Sequence, residues 1–280
     1  MTVKQNKFHM VLFVLLFGCT LSTVSLFSQG SLEEEDPLNP LTKRTKILIG
    51  PIIGYNGTSH SGSFQSISGD DRCPNFSTGS NPGFYAGLTY EMQLGEEVAN
   101  SKSSIIFRGM YESMPAFFEV PGAAYPSRLP NGTEVVSTTR HTTNIKYNMA
   151  TIEAVYKLNL FGSMFGFTVG PSISFPIGSS VEQRFELLEP NNVKFEPDST
   201  IPAERYINFD RTIITSPEGP IKEVNPFRFA VKFGVHYEFL VARTLVVPHL
   251  GYNFGVTTTS SIDGVRINAL QGGVEVRFAL

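Results

Sequence analysis

The residue types that hydrolysis or acyl transfer would need occur in the polar stretches of this 280-residue chain. Covalent catalysis requires a nucleophile, a base and a group that orients the base, all within hydrogen-bonding reach. The candidates of these types are His60, Asp70, Asp71, Ser137 and His141. No characteristic spacing joins them, and polar segments supply such residues by chance. We therefore expect no enzyme, no metal site and no cofactor, with an acyltransferase or protease built on these residues as the alternative.

A second set of chemically active side chains sits at alternate positions within apolar stretches. It contains five acids, five bases and two histidines: Glu91, Glu112, Glu153, Glu238, Glu275, Arg108, Lys157, Arg228, Lys232, Arg277, His236 and His249. Charges removed from water persist only when they are paired and hydrogen-bonded. The balance of acids and bases therefore predicts a structural ion-pair network that plugs an interior, with a narrow channel as the alternative.

The two histidines of this set are expected to meet. If the turn at 240–244 is centred symmetrically, His236 faces His249 across one rung of adjacent strands. Such a pair could sense pH, because imidazole titrates near neutrality. Two interior imidazoles that only share hydrogen bonds would show the same spacing.

The elements that must position these charges are β-strands. Residues Phe227 to Phe239 alternate strictly between aromatic or Val side chains and small or charged ones. Such alternation indicates a strand with one wholly apolar face, and this one is long enough to cross a membrane when tilted. The same pattern predicts eight strands, at about 46–57, 84–94, 103–114, 144–158, 165–177, 227–239, 245–257 and 270–280.

One of these strands has an irregular pattern. In 144–158 the alternation changes phase near Met149, which predicts a β-bulge with Ile145, Tyr147 and Met149 facing lipid. Proline interrupts the ladder of a strand and favours bulges. We therefore also expect local kinks or bulges at three prolines of the apolar face: Pro51, Pro171 and Pro248.

The connections between the predicted strands are alternately long and short. The long ones are residues 58–83, 115–143 and 178–226. This alternation is typical of outer-membrane barrels, which have short periplasmic turns and longer extracellular loops. The sequence thus predicts an all-β fold over residues 45–280, an eight-stranded antiparallel up-and-down transmembrane β-barrel with long extracellular loops and short periplasmic turns.

The face opposite the aromatic side chains indicates which way the barrel is turned. It carries many glycines, among them Gly54, Gly170, Gly234 and Gly273. An eight-stranded barrel has an interior barely wide enough for its own side chains, so small residues between large polar ones belong inside. The aromatic face then points to lipid. A soluble lipocalin-like ligand carrier, with its apolar face inside, is the alternative.

The N-terminal residues have the composition of a secretory signal peptide. Lys4 and Lys7 precede an apolar run that is too short for a membrane-spanning helix, and small polar residues follow. We expect a signal peptide at 1–28 and a disordered periplasmic leader at 29–44. Cleavage there leaves Cys73 as the one cysteine, so no disulfide can form within the chain. Acylation of Cys19 as a lipoprotein is an alternative.

Several short segments together resemble a known family. They are the Ser28-Gln29 junction, Gly50-Pro51 through Gly54-Tyr55, Gly166 through Gly170-Pro171, and Gly272 to Leu280 at the end of the chain. The chain resembles the small outer-membrane β-barrel proteins of the OmpA-like and porin-family kind found in Bacteroidetes and Chlorobi. The resemblance implies insertion by the barrel-assembly machinery, which recognises a C-terminal strand usually closed by Phe. Here Phe278 stands two residues before Leu280.

The expected role follows from the predicted loops. We expect a non-enzymatic barrel in the cell outer membrane, in contact with outer-membrane lipid, whose loops serve surface contact, adhesion or membrane integrity, because functional residues concentrate on loops of rigid scaffolds. Phe117, Phe118 and the segment 182–186 could form the contact surface or pack over the mouth of the barrel. A net charge of −3 gives no sign of nucleic acid as a partner.

Overall fold

The computed structural model of the chain describes residues 47–65, 75–94, 103–129, 131–160, 163–190, 192–195, 211–221, 223–241, 244–260 and 264–280. All of them belong to one compact unit, Arg44–Leu280. The predicted signal peptide and leader lie outside these ranges, as do Asp70, Asp71 and Cys73. Within these ranges, no helix has both the length and the apolar character that crossing a membrane requires.

The described residues form antiparallel β-strands, which confirms the predicted all-β class. There are eleven of them: β1 Ile47–Gln65, β2 Asn75–Leu94, β3 Ser103–Pro121, β4 Tyr125–Arg128, β5 Glu134–Asn159, β6 Phe165–Glu189, β7 Ile213–Gly219, β8 Arg228–Tyr237, β9 Phe239–Val241, β10 Thr244–Gly255 and β11 Arg266–Ala279. The predicted count of eight is therefore wrong. The sequence pattern did not predict β4, β7 and β9 because they are only 4, 7 and 3 residues long, too short to show a clear alternation.

Eight of the strands pair in a circuit that returns to its starting point. The successive pairs are β1–β2, β2–β3, β3–β5, β5–β6, β6–β8, β8–β10, β10–β11 and β11–β1. The short strands β4, β7 and β9 pair with β5, β6 and β10. Each strand of this ring has a neighbour on both sides over its paired residues, so its backbone hydrogen bonds are satisfied without a free edge.

One face of the ring is apolar and exposed. We call this surface the apolar belt; its members include Ile53, Tyr55, Phe84, Leu88, Tyr90, Phe107, Tyr111, Ile152, Tyr156, Phe167, Phe233, Leu250, Tyr252, Leu270 and Phe278. Ile53 is 66% exposed and Leu88 is 46% exposed. A monomeric water-soluble protein rarely exposes a contiguous apolar patch of this kind. The belt is therefore the surface whose surroundings must be explained.

Five strands continue past the belt as paired strands. We call the parts of β1, β2, β3, β5 and β6 within 58–65, 75–82, 113–121, 134–148 and 178–189 the strand extension. It occupies much of the predicted long loops 58–83, 115–143 and 178–226, so those loop assignments are wrong over these residues. Polar side chains dominate the outward positions here, so the apolar alternation that marks a membrane strand disappears while the backbone ladder continues.

The register of β5 differs from the prediction. Alternate positions from Ser137 to Lys157 are buried without a change of phase. Ile145, Tyr147 and Met149 are therefore on the buried face and do not face lipid. A shift of register does occur opposite Asn148 and Met149, but the extra residue lies in β6. The inward face of β5 is apolar at these three positions and mainly polar within the belt, at Thr151, Glu153 and Lys157.

An apolar cluster fills the buried side of the ring at the level of the extension. We call it the upper apolar cluster: Phe76, Met114, Ala116, Phe118, Ile145, Tyr147, Met149, Val265 and Ile267. The ring centroids of Phe76 and Phe118 lie 5.9 Å apart in an edge-to-face contact. Phe117, the neighbouring residue of β3, is 43% exposed on the other face. Phe117 and Phe118 thus lie on opposite faces of β3, and neither belongs to a loop.

The three prolines of the apolar face do not create the predicted bulges. Strand register is the same on both sides of Pro51 in β1, of Pro171 in β6 and of Pro248 in β10. Register shifts occur instead within the strand extension. The expectation of bulges at these prolines is therefore wrong, because the neighbouring residues keep the ladder in register.

The buried position of Ile145 can be tested by removing one methylene. Ile145→Val is expected to lower the free energy of unfolding by about 0.5–1.5 kcal/mol, as for other buried isoleucines. The measurement is urea unfolding of the protein refolded into lipid vesicles. Val136, also on β5, is 70% exposed, and Val136→Ala should change stability little. Equal losses at both positions would contradict the register described here.

Candidate functional site

The charged residues and histidines singled out in the sequence lie on the buried side of the ring. Exposure is 12% for Lys232 and Glu238 and 13% for His249, and it is 6% or less for the other nine. Their alternation with the belt residues along each strand explains this placement, since successive side chains of a strand point to opposite faces. All twelve therefore belong to one interior surface.

Glu275 and Arg277, two residues apart on β11, form the centre of the ionic contacts. Glu275 Oε2 accepts hydrogen bonds from Nε and Nη2 of Arg277 at 2.9 and 2.7 Å. Its other oxygen, Oε1, lies 2.6 Å from Nη2 of Arg108 on β3. The remaining amino group of Arg277 reaches Glu91 Oε2 on β2 at 2.5 Å. One carboxylate and one guanidinium thus connect three strands.

The contacts continue from Arg108 to β5 and β8. Arg108 Nη1 lies 3.3 Å from Glu153 Oε2, and the other oxygen of Glu153 contacts the ammonium group of Lys232. Lys232 is also 4.0 Å from Glu112. Glu112 in turn accepts hydrogen bonds from Thr151 Oγ1 at 2.6 Å and from Gln271 Nε2 at 2.8 Å.

A second branch leads from Glu91 to the end of β8. Lys157 contacts Glu91 Oε1 and donates to Glu238 Oε1 at 2.5 Å. Glu238 Oε2 accepts a hydrogen bond from Asn159 Nδ2 at 2.9 Å. With these contacts, five glutamates and four bases form one connected set, which we call the ion-pair network: Glu91, Glu112, Glu153, Glu238, Glu275, Arg108, Lys157, Lys232 and Arg277.

The predicted pairing of His236 with His249 across β8 and β10 is confirmed. Their side chains have separate partners. His249 Nε2 lies 2.6 Å from the hydroxyl of Tyr85, and its Nδ1 is 3.6 Å from Glu275. His236 Nε2 lies 2.9 Å from Asn159 Oδ1. Each imidazole is thus attached to the ion-pair network through its own neighbour.

Arg228 differs from the other predicted members. It is fully buried, yet no carboxylate of the described residues lies within ion-pair distance of it. Its Nη2 group donates instead to Asn253 Oδ1 at 2.9 Å and to the carbonyl of Ile267 at 2.7 Å. The expectation that Arg228 joins the ion pairs is therefore wrong for the described residues, because its guanidinium is directed to Asn253 and to the carbonyl of Ile267.

Neutral polar residues complete the interior, and the sequence analysis did not single them out. Tyr85, Ser104, Thr151, Asn159 and Gln271 all hydrogen-bond to members of the ion-pair network or to its histidines. The signal that could have found them is their position, since each occupies an inward place in a strand whose neighbours are charged. Alternation alone treats them as ordinary polar residues.

The glycines of the inner face make room for these side chains. A Cβ added at Gly54 would lie 2.3 Å from the Tyr85 hydroxyl, and one at Gly273 would lie 2.4 Å from it. Side-chain carbons do not approach other atoms so closely. Tyr85 can therefore reach His249 only because two neighbouring strands carry glycine at these rungs, which is the crowding that the sequence pattern predicted.

The candidate catalytic residues occupy the buried side of the strand extension. The His60 ring lies 6.3 Å from Phe118 and 6.0 Å from Tyr147, and His141 stacks on Phe185 at 4.4 Å. Ser137 is buried, and its hydroxyl has no hydrogen-bond partner among the described residues. Among the residues that the structure describes, no base lies within hydrogen-bonding distance of the Ser137 hydroxyl. Over the same ranges, His, Cys, Asp and Glu side chains do not gather in threes that could hold a metal ion.

No family model and no curated protein matches this chain. Neisserial surface protein A is 13% identical with a TM-score of 0.31, over 83% of this chain and 99% of that chain. The outer-membrane protease OmpT from Escherichia coli is 9% identical with a TM-score of 0.38, over 84% and 96%. The translocator domain of NalP from Neisseria meningitidis is 9% identical with a TM-score of 0.29, over 97% and 98%. Identities and TM-scores of this size assign neither a family nor an activity to the chain.

Proposed function

We propose that this protein is a non-enzymatic outer-membrane β-barrel with a plugged lumen, which presents its strand extension at the cell surface. The single observation that carries the proposal is the contrast between the two faces of the same strands. Belt residues such as Phe233 and Leu250 are 53% exposed, while Glu91, Glu275 and Arg277 on the opposite face are almost wholly buried. That arrangement reverses the usual order of a water-soluble protein.

Lipid is the surrounding that this contrast fits. Apolar side chains are stable in contact with hydrocarbon. Backbone groups in hydrocarbon must form their hydrogen bonds within the protein, as they do in a closed ring of paired strands. A soluble lipocalin-like carrier would instead hold apolar side chains around an internal ligand. Ion pairs occupy that position here at the level of the belt. The geometry therefore favours a membrane barrel over a carrier.

The contents of the lumen support a barrel that does not conduct. The ion-pair network lies behind the belt, and the upper apolar cluster lies behind the extension. A conducting pore needs a continuous wet path, whereas among the described residues paired charges occupy one level of the lumen and packed rings occupy the other. We expect the protein to be silent in planar bilayers. Steady conductance at neutral pH would favour the narrow-channel alternative.

The strand extension supplies the surface that such a barrel would expose to its surroundings. Its outward side carries partly exposed ion pairs, with Arg140 Nη2 at 2.6 Å from Glu186 and Arg184 Nη2 at 2.8 Å from Glu182. The Ser180 hydroxyl and Lys146 hold the pKa of Glu218 below its ordinary value, so Glu218 keeps its charge in mildly acidic surroundings. This polar, charged exterior suits contact in water. Insertion by the barrel-assembly machinery through the C-terminal strand is part of the proposal.

Heat modifiability tests the membrane barrel directly. Outer membranes are isolated and run in SDS gels with and without boiling, and circular dichroism is recorded on the purified protein. We expect a mobility difference between the two samples together with a β-rich spectrum, because closed barrels resist SDS until they are heated. Recovery of the protein in the soluble periplasmic fraction, with no mobility difference, would overturn the proposal.

The orientation of the extension needs its own experiment. An epitope inserted between Asn131 and Gly132, in the exposed turn before β5, should be accessible to antibody on intact cells. The matched control is the same epitope appended at Leu280, which should react only after the cells are permeabilised. Labelling of the Leu280 epitope alone on intact cells would show that the extension faces the periplasm.

A further inference from the structure

Three buried side chains hold polar atoms without a good hydrogen bond to any residue that the structure describes. Arg228, Asn253 and His60 are each 0% exposed. Among the described residues, Nε and Nη1 of Arg228 and Nδ2 of Asn253 have no hydrogen-bond partner. Neither ring nitrogen of His60 makes a hydrogen bond of good geometry, although the backbone of Met114 lies close to that ring. Buried polar groups are satisfied in the great majority of cases, so three such side chains in one part of a lumen require an explanation.

Arg228 and Asn253 are held together with their donors free. Both hydrogen bonds of Arg228 use Nη2, which donates to Asn253 Oδ1 and to the carbonyl of Ile267. Gly255 allows this approach, since a Cβ there would lie 2.2 Å from the Ile267 carbonyl oxygen and 3.4 Å from Nη2. Because Asn253 uses its oxygen towards Arg228, its amide N–H groups remain as donors beside those on Nε and Nη1.

His60 lies on the other side of Ile267. The β1–β11 register places His60 directly opposite Ile267, the residue whose carbonyl accepts a hydrogen bond from Arg228. Phe118 and Tyr147 of the upper apolar cluster pack near that ring. The three residues therefore stand at the boundary between the polar and the apolar layers of the lumen.

No carboxylate of the described residues forms a direct ion pair with Arg228. All five glutamates of the ion-pair network are within 4.0 Å of other bases. A buried guanidinium without a partner is costly, and the cost falls when a negative charge accepts its hydrogen bonds. The unpartnered groups of Arg228 and Asn253 are all donors, so a metal ion does not match them. A compact acceptor with one negative charge does.

We propose that Arg228, Asn253 and His60 bind a small monovalent inorganic anion of the halide class inside the barrel. The anion accepts N–H groups from Nε or Nη1 of Arg228 and Nδ2 of Asn253, and His60 donates from one ring nitrogen. It supplies the counter-charge that the neighbouring strands lack. The proposal concerns the folded interior and does not depend on the role of the extension at the cell surface.

Asn253→Asp gives a sharp test because it places a carboxylate next to Arg228 without changing the side-chain shape. The full-length protein is refolded in detergent with sodium bromide or with sodium isethionate at equal ionic strength, and its unfolding rate is followed by band shift at fixed temperature. We expect bromide to slow unfolding of the natural chain about tenfold, as a ligand specific to the native state does. Asn253→Asp should lose this dependence. Asn131→Asp, in an exposed turn, is the matched control and should keep it.

His60→Phe serves if Asn253→Asp does not fold, since a phenyl ring suits the contacts with Phe118 and Tyr147. It removes one donor, and the bromide effect should fall severalfold. An equal bromide effect in either variant and in the natural chain would show a general salt effect and overturn the proposal.

Crystals grown in bromide locate the anion. An anomalous peak beside Arg228 in the natural chain, absent from Asn253→Asp, is the expected result. No peak at Arg228 would overturn the proposal and leave water as the partner of these donors. A peak without any bromide effect on unfolding would mean binding at crystal concentration only, and would overturn it as well.

Discussion

Glu275→Gln is expected to destabilise the folded protein by about 3–5 kcal/mol, the loss typical of breaking a buried ion pair from one side. Glutamine has nearly the same shape as glutamate, so packing is preserved and the loss reports charge. Glu275 accepts hydrogen bonds from Arg108 at 2.6 Å and from Arg277 at 2.7 and 2.9 Å. Its neutralisation leaves two buried guanidinium groups with a weaker acceptor. The measurement is urea unfolding in lipid vesicles at neutral pH.

The matched control for Glu275 is an exposed ion pair of the same chemistry. Arg128 and Glu134 are 3.4 Å apart, with side chains 58% and 82% exposed. Exposed pairs contribute roughly 0–1 kcal/mol because water and salt screen them, so Glu134→Gln should change stability little. If Glu275→Gln had no larger effect than Glu134→Gln, the network would not brace the strands, and a hydrated lumen would replace the plug.

Leu88→Arg tests the surroundings of the belt. Leu88 is 46% exposed in the middle of the belt part of β2. An arginine on the lipid face near the middle of a bilayer costs about 2–4 kcal/mol. We expect that loss when the protein unfolds from lipid vesicles. In a water-soluble protein the same substitution at so exposed a site would be nearly neutral.

Ser59→Arg is the control for Leu88→Arg. Ser59 is exposed on the outward side of β1, within the strand extension. Because the extension is proposed to stand in water, arginine at position 59 should leave stability almost unchanged. Equal losses of unfolding free energy at both positions would indicate that Ser59 also faces lipid. If neither substitution lowers stability, the belt does not face lipid.

The positions of the interior charges were predictable from alternation. Glu275 and Arg277 stand two residues apart among valines and phenylalanine, and in the structure they are buried together. The pairing of His236 with His249 was also predictable, from their equal distances in sequence from the turn at 240–244. In both cases the information is local, because a strand sends successive side chains to opposite faces.

The sequence predictions were wrong at residues whose burial depends on contacts with other strands. Ile145 and Tyr147 look like lipid-facing residues in sequence, yet they pack inside against Met114 and Phe118 of β3. The predicted loop 115–143 contains paired residues of β3 and β5. Their outward positions are mainly polar, so the sequence there lacks the apolar alternation by which strands were recognised. Arg228 appeared to be one more member of a balanced set, and only the fold shows that the glutamates do not reach it.

By itself, the sequence determined the strand class, the faces of the belt strands and the identity of the buried charges. Those properties follow from the two-residue period and from the separation of apolar from polar side chains, which act within one strand. Tertiary structure alone decided the pairing circuit, the length of the strand extension, the inward face of Ile145 and the isolation of Arg228. Each of these features depends on contacts between residues far apart in the chain. The free energy of such contacts cannot be inferred from the alternation of apolar and polar residues within either strand.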